Sequence, residues 1–205
     1  MATGMSVGKL RDQESAAAKL HGYPTGDVLY VDSTNGNNGN SGLDKAHPVA
    51  TLAYALTLAA AGDTIVLSPG GSETVTATVA VSLAKLKIVC PVANPASGYT
   101  ISGAGTLALM TVSAADVHVE GVKFAHTGAT ANAQCVLTTN AADRLVVERC
   151  LFDDSAVTTT TGTGVGIVNA CDDVIVRACR FLDQKFSVLF TMATGVSCAR
   201  PKVVG

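Results

Sequence analysis

The chain has 205 residues, 48% of them apolar and 15% charged, with 20 Gly, no Trp and a formal net charge of −2. That composition suits one elongated domain with a sizeable core. Fourteen Lys and Arg are offset by 16 acids, and the longest mostly apolar stretch, Val49 to Ala61, is too short to cross a bilayer, so neither nucleic acid nor membrane is expected as a partner.

Residues 1–27 read as a helical arm. Val7 to Leu20 carries good helix formers, Gln13, Glu14 and Ala16 to Ala18, and stops at Gly22 and Pro24. Leu10, Ala17 and Leu20 are its candidate anchors to a partner. The first twenty residues lack an apolar leader segment, which predicts a chain beginning near Met1, made and folded in a cytoplasm.

Residues 28–205 read as a second unit. Tyr30-Val31-Asp32 is followed by an Asn/Gly-rich loop from Ser33 to Gly42, then His47-Pro48, a short helix at about 49–61, and Gly62-Asp63-Thr64-Ile65-Val66-Leu67-Ser68-Pro69-Gly70. The loop offers oxygen donors for calcium in Asp32, Asn35, Asn37, Asn38, Asn40 and Asp44. It lacks the acidic spacing and distal Glu of a calcium loop, and Asn and Gly are ordinary in tight turns, so a structural turn is expected.

Coils are expected at about 63–190, because three stretches superpose: Asp116 to Phe124 (DVHVEGVKF), Arg144 to Phe152 (RLVVERCLF) and Asp173 to Phe181 (DVIVRACRF). Their closing Phe residues lie 152 − 124 = 28 and 181 − 152 = 29 positions apart, and Val81 to Val89 is a weaker copy 31 positions before Val112 to Glu120. Such a period means stacked units that bury their apolar faces on one another. Spacing of two inside β-branched runs, as at Val117 and Val119, makes the units parallel strands, with equivalent side chains one above another.

The order YVD, Asn/Gly loop, HP, short helix and GDTIVLSPG, followed by these repeats, resembles right-handed parallel β-helix proteins of the pectate-lyase-like superfamily. The resemblance covers roughly residues 28 to 185. It implies an all-β, right-handed parallel β-helix solenoid with a short N-terminal capping helix, and says little of activity, since the scaffold carries lyases, hydrolases, adhesins and structural proteins.

Lyases of that superfamily hold calcium on acidic side chains of adjacent coils and use a nearby Arg or Lys as base. The residues that resemblance offers here are Asp153, Asp154, Asp172 and Asp173 as acids, with Arg177 and Arg180 as bases. A hydrolase would need paired carboxylates, for which Asp153, Asp154 and Asp183 are the candidates. All sit at turn positions where Asp serves the backbone. Asp116, Arg144 and Asp173 form one outward column, and Glu120, Glu148 and Arg177 a second, which reads as charge stacking rather than chemistry. No catalytic, cofactor or metal residue is therefore assigned. Cys150 and Cys179 share an inward position and are expected as core thiols rather than a disulfide.

The outward column Lys87, His118, Val146, Ile175 turns apolar toward the C-terminus. With Leu151 taken as outward too, His118, Val146, Leu151 and Ile175 are expected to form an oligomer interface, in the side-by-side trimers that the resemblance implies. The apolar segment from Phe186 to Met192 is expected to be a partial coil folded over the solenoid end. Together these features lead to an expectation: a non-enzymatic virion protein, resembling bacteriophage structural components. It would be a capsid decoration or cement protein, homotrimeric, contacting the major capsid protein and binding no cofactor. The alternatives are a tail-fibre or tailspike adhesin for host polysaccharide and a small polysaccharide lyase or hydrolase.

Overall fold

A computed structural model describes residues 26–127, 133–139, 141–156, 162–168, 171–191 and 200–204. The candidate anchors Leu10, Ala17 and Leu20 lie outside these residues.

Strand β1 (Val28–Val31) and helix α1 (Leu52–Leu58) precede five full coils of three strands each. The coils are β2 (Thr64–Leu67), β3 (Ser72–Val75) and β4 (Val79–Val81); β5 (Lys87–Val89), β6 (Thr100–Gly103) and β7 (Met110–Val112); β8 (His118–Glu120), β9 (Lys123–His126) and β10 (Gln134–Thr138); β11 (Val146–Glu148), β12 (Leu151–Asp153) and β13 (Thr163–Val168); and β14 (Ile175–Arg177), β15 (Arg180–Leu182) and β16 (Phe186–Thr191). A last strand, β17 (Lys202–Val204), starts a sixth turn. Like strands stack in parallel into a seven-stranded first sheet, a five-stranded second sheet begun by β3 and a five-stranded third sheet begun by β4. The architecture is a parallel β-helix solenoid.

Register follows from the alternation. Leu29, Ile65, Ile88, Val119, Val147 and Val176 pair in one inward column of the first sheet, and all are at most 2% exposed. In the second sheet Phe124, Phe152 and Phe181 pair in another. Their rings stack at centroid separations of 5.4 and 4.9 Å, each pair 8° from parallel, an offset arrangement that adds attraction to the burial itself.

Thr51 caps α1 by accepting from the Tyr54 N–H, and Leu52 and Ala55 bury one face of the helix on the first coil. The helix is shorter than the expected 49–61 because Val49 is drawn into a parallel bridge with Val31. The Asn/Gly loop is a turn that spends its amides on its own backbone. Asp32 accepts from the Thr34 and Asn35 N–H groups, Asn38 from Ala50, and Asn40 donates to the Pro48 carbonyl.

The turns entering the first sheet repeat an uncommon backbone. Lys85, Asp116, Arg144, Asp173 and Arg200 have φ between 52 and 61°, a region costly for non-glycine residues. Hydrogen bonds from one coil to the next offset that cost, as from the Asp116 N–H to the Asp143 carbonyl and from the Arg144 N–H to that of Asp172. The side chains alternate in sign, and Arg144 grips Asp116 while Arg200 grips Asp173, each through two hydrogen bonds.

Two expectations need correction. Leu151 does occupy an outward register, beside Lys123 and Arg180, but it is only 2% exposed. The apolar strip therefore shrinks to Val146 and Ile175, both half-buried and bounded by His118 on one side and Lys202 on the other. The second correction concerns the tail: Phe186 to Thr191 does not fold over the end but forms β16, the third side of the fifth coil, and β17 stacks on β14 beyond it. Cys150 and Cys179 are free thiols in one column, donating to backbone carbonyls.

Candidate functional site

Where the first sheet turns into the second, five cations meet three carboxylates on neighbouring coils. The outward end of the first sheet supplies Glu120, Glu148 and Arg177, in register. Arg149 stands at the turn with φ 49°, Lys123 and Arg180 open their strands in the second sheet, and Asp153 closes the strand between them. Lys87 and His118 reach in from the adjoining column. The chain as a whole is acidic, whereas this corner is net positive.

The pairing there is dense. Arg149 bridges to Glu120, Arg177 donates to Glu148 at 2.7 Å, Lys87 lies 3.3 Å from Glu120, and Lys123 lies 3.0 Å from Asp153. The hydrogen bond from Arg177 holds the Glu148 carboxyl below its ordinary range. Burial raises the Asp153 carboxyl, but hydrogen bonds from Ser155 and Lys123 outweigh it and hold the group low. His118 Nε2 sits 3.3 Å from Glu148 Oε2 and 3.6 Å from Glu120 Oε2. Burial, then the Lys87 charge, lower its pKa despite both carboxylates. An imidazole so placed is neutral near pH 7 and can accept a proton. Arg149 and Arg177 keep about half their side-chain surface exposed, so both can still reach an external anion.

The acids proposed from sequence scatter. Asp153 joins the corner. Asp154 is 1% exposed, inside the solenoid. Asp173 is tied to Arg200 on a different edge, and Asp183 occupies a turn with φ 54°. Of the proposed bases, Arg177 is at the corner and Arg180 is its exposed neighbour. The calcium implied by the resemblance does not fit. The stacked carboxylates Glu120 and Glu148 already have Lys87, Arg149 and Arg177 on their oxygens, and a divalent cation there would meet three positive charges. Asp154 does not serve as half of a hydrolase pair either, since it cannot reach solvent beside Asp153.

Sequence reading missed Lys87, Lys123 and Arg149 as members of a site and took His118 for an interface residue. The signal was present in the columns, because Glu120, Glu148 and Arg177 were aligned correctly; what was lacking was the turn that swings Arg149 back over Glu120.

A second polar feature lies at the N-terminal end, where a groove of about 240 Å³ is lined by Thr51, Glu73, Thr74, Thr76 and neighbouring aliphatic side chains. Burial raises the Glu73 pKa. One carboxylate oxygen accepts from the Leu52 N–H, and the buried Tyr99 hydroxyl lies beside the carboxyl and Ser33. Glu73 here is chiefly a second cap for α1.

No family model matches the chain, and no curated protein matches it. Among solved structures, a rhamnogalacturonan lyase superposes with a TM-score of 0.50 at 14% identity, over 88% of this chain and 63% of its own. A GH136 lacto-N-biosidase from Eubacterium ramulus superposes at 0.39, also at 14% identity, over 83% of this chain and 36% of its own. The chain thus spans less than two thirds of the length of either. The first likeness supports the parallel β-helix fold. The expectation that the chain is not an enzyme is corrected to this extent: the neighbour that supports the fold is named a lyase, and at 14% identity that likeness shows the fold alone. Neither name refers to a virion.

Proposed function

We propose that the chain is a small carbohydrate-active β-helix that binds acidic polysaccharide at the corner between the first and second sheets and cleaves it by elimination. The observation behind this reading is the net positive cluster around His118 on an otherwise acidic chain. A uronate carboxylate fits the half-exposed guanidinium groups of Arg149 and Arg177, whose planar forks suit bidentate contact. Neutralising that carboxylate acidifies the adjacent C5–H. His118 takes the C5 proton, the C4–C5 double bond forms, and the C4–O bond breaks with the departing oxygen protonated by solvent.

The test is incubation with uronate-containing and neutral polysaccharides, following the ultraviolet absorbance of the unsaturated product. His118→Ala should lower the rate at least about 100-fold, Arg177→Ala should raise KM, and Arg144→Ala, outside the corner, should change neither. Absence of both binding and product with every acidic polymer would remove this reading.

A second reading, assembly into virion shells as a homotrimer, has only Val146 and Ile175 behind it. Light scattering of the Ile175→Asp variant tests it: dissociation of an oligomer supports that face, and unchanged mass removes it.

A further inference from the structure

Inside the solenoid, at the bend between the second and third sheets, lies a polar cluster that the corner does not use. His126 closes β9, Cys135 lies in β10 of the same coil, Asp154 follows β12 one coil later, and Gln184 follows β15 one coil after that. His126 and Asp154 are 1% exposed and Cys135 is fully buried. His126 Nδ1 is 3.2 Å from Asp154 Oδ1 and 3.6 Å from Cys135 Sγ. The ligand atoms of His126, Cys135 and Asp154 all lie within 4.8 Å of one another.

As drawn, the cluster is incomplete. His126 Nε2 faces the Leu107 carbonyl at 3.2 Å, and a carbonyl only accepts, so Nε2 carries the hydrogen and a neutral ring turns the Nδ1 lone pair inward. That lone pair lies against a carboxylate oxygen, which can only accept, and the Cys135 sulfur, whose single hydrogen is the one donor the three groups have to share. Asp154 Oδ2 is buried with no hydrogen-bond partner, and the Gln184 amide, whose polar atoms are buried too, lies against the Cys135 thiol. Gly162 borders this space: a Cβ there would stand 1.7 Å from Asp154 Oδ2 and 3.3 Å from Gln184 Oε1. Buried unpaired polar atoms are costly, and several buried polar atoms converging on one point call for a positive centre.

We propose that His126 Nδ1, Cys135 Sγ, Asp154 and the Gln184 carbonyl oxygen form a tetrahedral Zn²⁺ site that ties three consecutive coils together.

The geometry is already close. With Zn–S near 2.3 Å and Zn–N and Zn–O near 2.0–2.2 Å, the tetrahedral edges are about 3.6 Å for S···N and about 3.4 Å for N···O; the structure has 3.6 and 3.2 Å. Charge balances as well, because thiolate and carboxylate neutralise the dication and leave a neutral buried unit, which avoids most of the cost of burying charge. A thiolate and an imidazole together select zinc over magnesium or calcium. The Leu107 carbonyl supplies the outer contact that fixes a ligating imidazole in its tautomer. The ligands are separated by 9, 19 and 30 residues in sequence, so no local spacing betrays the site.

The experiment uses the full chain, refolded with chelator and then with one equivalent of Zn²⁺ or Co²⁺. Metal content is read by mass spectrometry, and the cobalt form by its spectrum. The expected result is about one metal per chain, with a thiolate-to-cobalt charge-transfer band and the visible bands of tetrahedral cobalt. Cys135→Ser should abolish the charge-transfer band, and Asp154→Asn, nearly isosteric, should weaken binding. Gln184→Leu should weaken it roughly 10–100-fold. Cys179→Ala and His118→Ala should leave the spectrum unchanged. The proposal is overturned if wild-type protein takes up no metal, if cobalt binds without a thiolate band, or if His118→Ala is what removes it. The wild-type spectrum decides the matter even if the Cys135 variant does not fold.

Discussion

Truncation of Phe152 probes the stacked core most directly. Its ring is fully buried between Phe124 at 5.4 Å and Phe181 at 4.9 Å. Deleting a buried Phe costs about 3–5 kcal/mol through lost burial and the cavity left behind. Losing two ring pairs, each worth about 0.5–1.5 kcal/mol, puts Phe152→Ala near the upper end, at about 5 kcal/mol. Phe124→Ala loses one pair from a fully buried site and should cost about 4 kcal/mol, by the same reasoning. Phe181 is only partly buried and also has one pair, so its truncation should cost about 1–2 kcal/mol. With a urea slope of about 2–3 kcal/mol per molar, Phe152→Ala should lower the midpoint by roughly 2 M. The assay is urea unfolding followed by circular dichroism, with the slope checked because stacked repeats can unfold in parts. A Phe152→Ala loss no larger than that of Phe181→Ala would refute the stacking argument.

Three other perturbations have definite signs. Burial raises the folded pKa of Glu73, so its stabilising contribution is complete below the unfolded value and is lost as pH rises through the folded one; Glu73→Gln should therefore raise the thermal midpoint at pH 7 and change little at pH 4. Hydrogen bonds from Arg144 and Arg200 lower the Asp116 and Asp173 pKa values, so their contribution is present above about pH 4 and lost as pH falls through the lower folded values. The double variant Asp116→Asn with Asp173→Asn should show a flatter urea midpoint between pH 5 and pH 2, and an unchanged slope would dismiss the pairs. Gly164→Ala would bring a Cβ within 2.5 and 2.7 Å of Phe181 ring carbons and 2.7 Å of the Ser187 carbonyl; overpacking of this kind costs about 1–3 kcal/mol, read as a lower melting temperature.

Columns were legible in the sequence wherever one strand repeats another in strict alternation. Asp116, Arg144 and Asp173 share one turn position, and the residue pairs Val146 with Ile175 and Phe152 with Phe181 fall in register as their spacing implies. Exposure was less legible. Leu151 has an outward register, yet its neighbours cover it, and alternation carries no information about what a long side chain such as Lys123 or Arg180 lies across. The tail misled for a different reason: Phe186, Val188, Leu189 and Phe190 read as an apolar run beyond the last clear coil, whereas they pair along β13 as the third strand of a fifth coil, with Phe186 and Phe190 left exposed. The corner and the buried cluster were hidden because both gather residues across coils and around bends. Cys135 and Asp154 come together only once the turn between the second and third sheets is known.

The alternating turn residues impose a rule of parity on the family of shapes this chain can reach. Lys85, Asp116, Arg144, Asp173 and Arg200 alternate in sign from coil to coil. Duplicating any one of these coils would set two like charges over each other at a new junction, which is unfavourable directly across paired strands. Duplicating a neighbouring pair would leave every junction complementary. Lengthening the solenoid by even steps therefore keeps this turn column complementary, and by odd steps it does not, so at this column an engineered insertion of two coils costs less than an insertion of one.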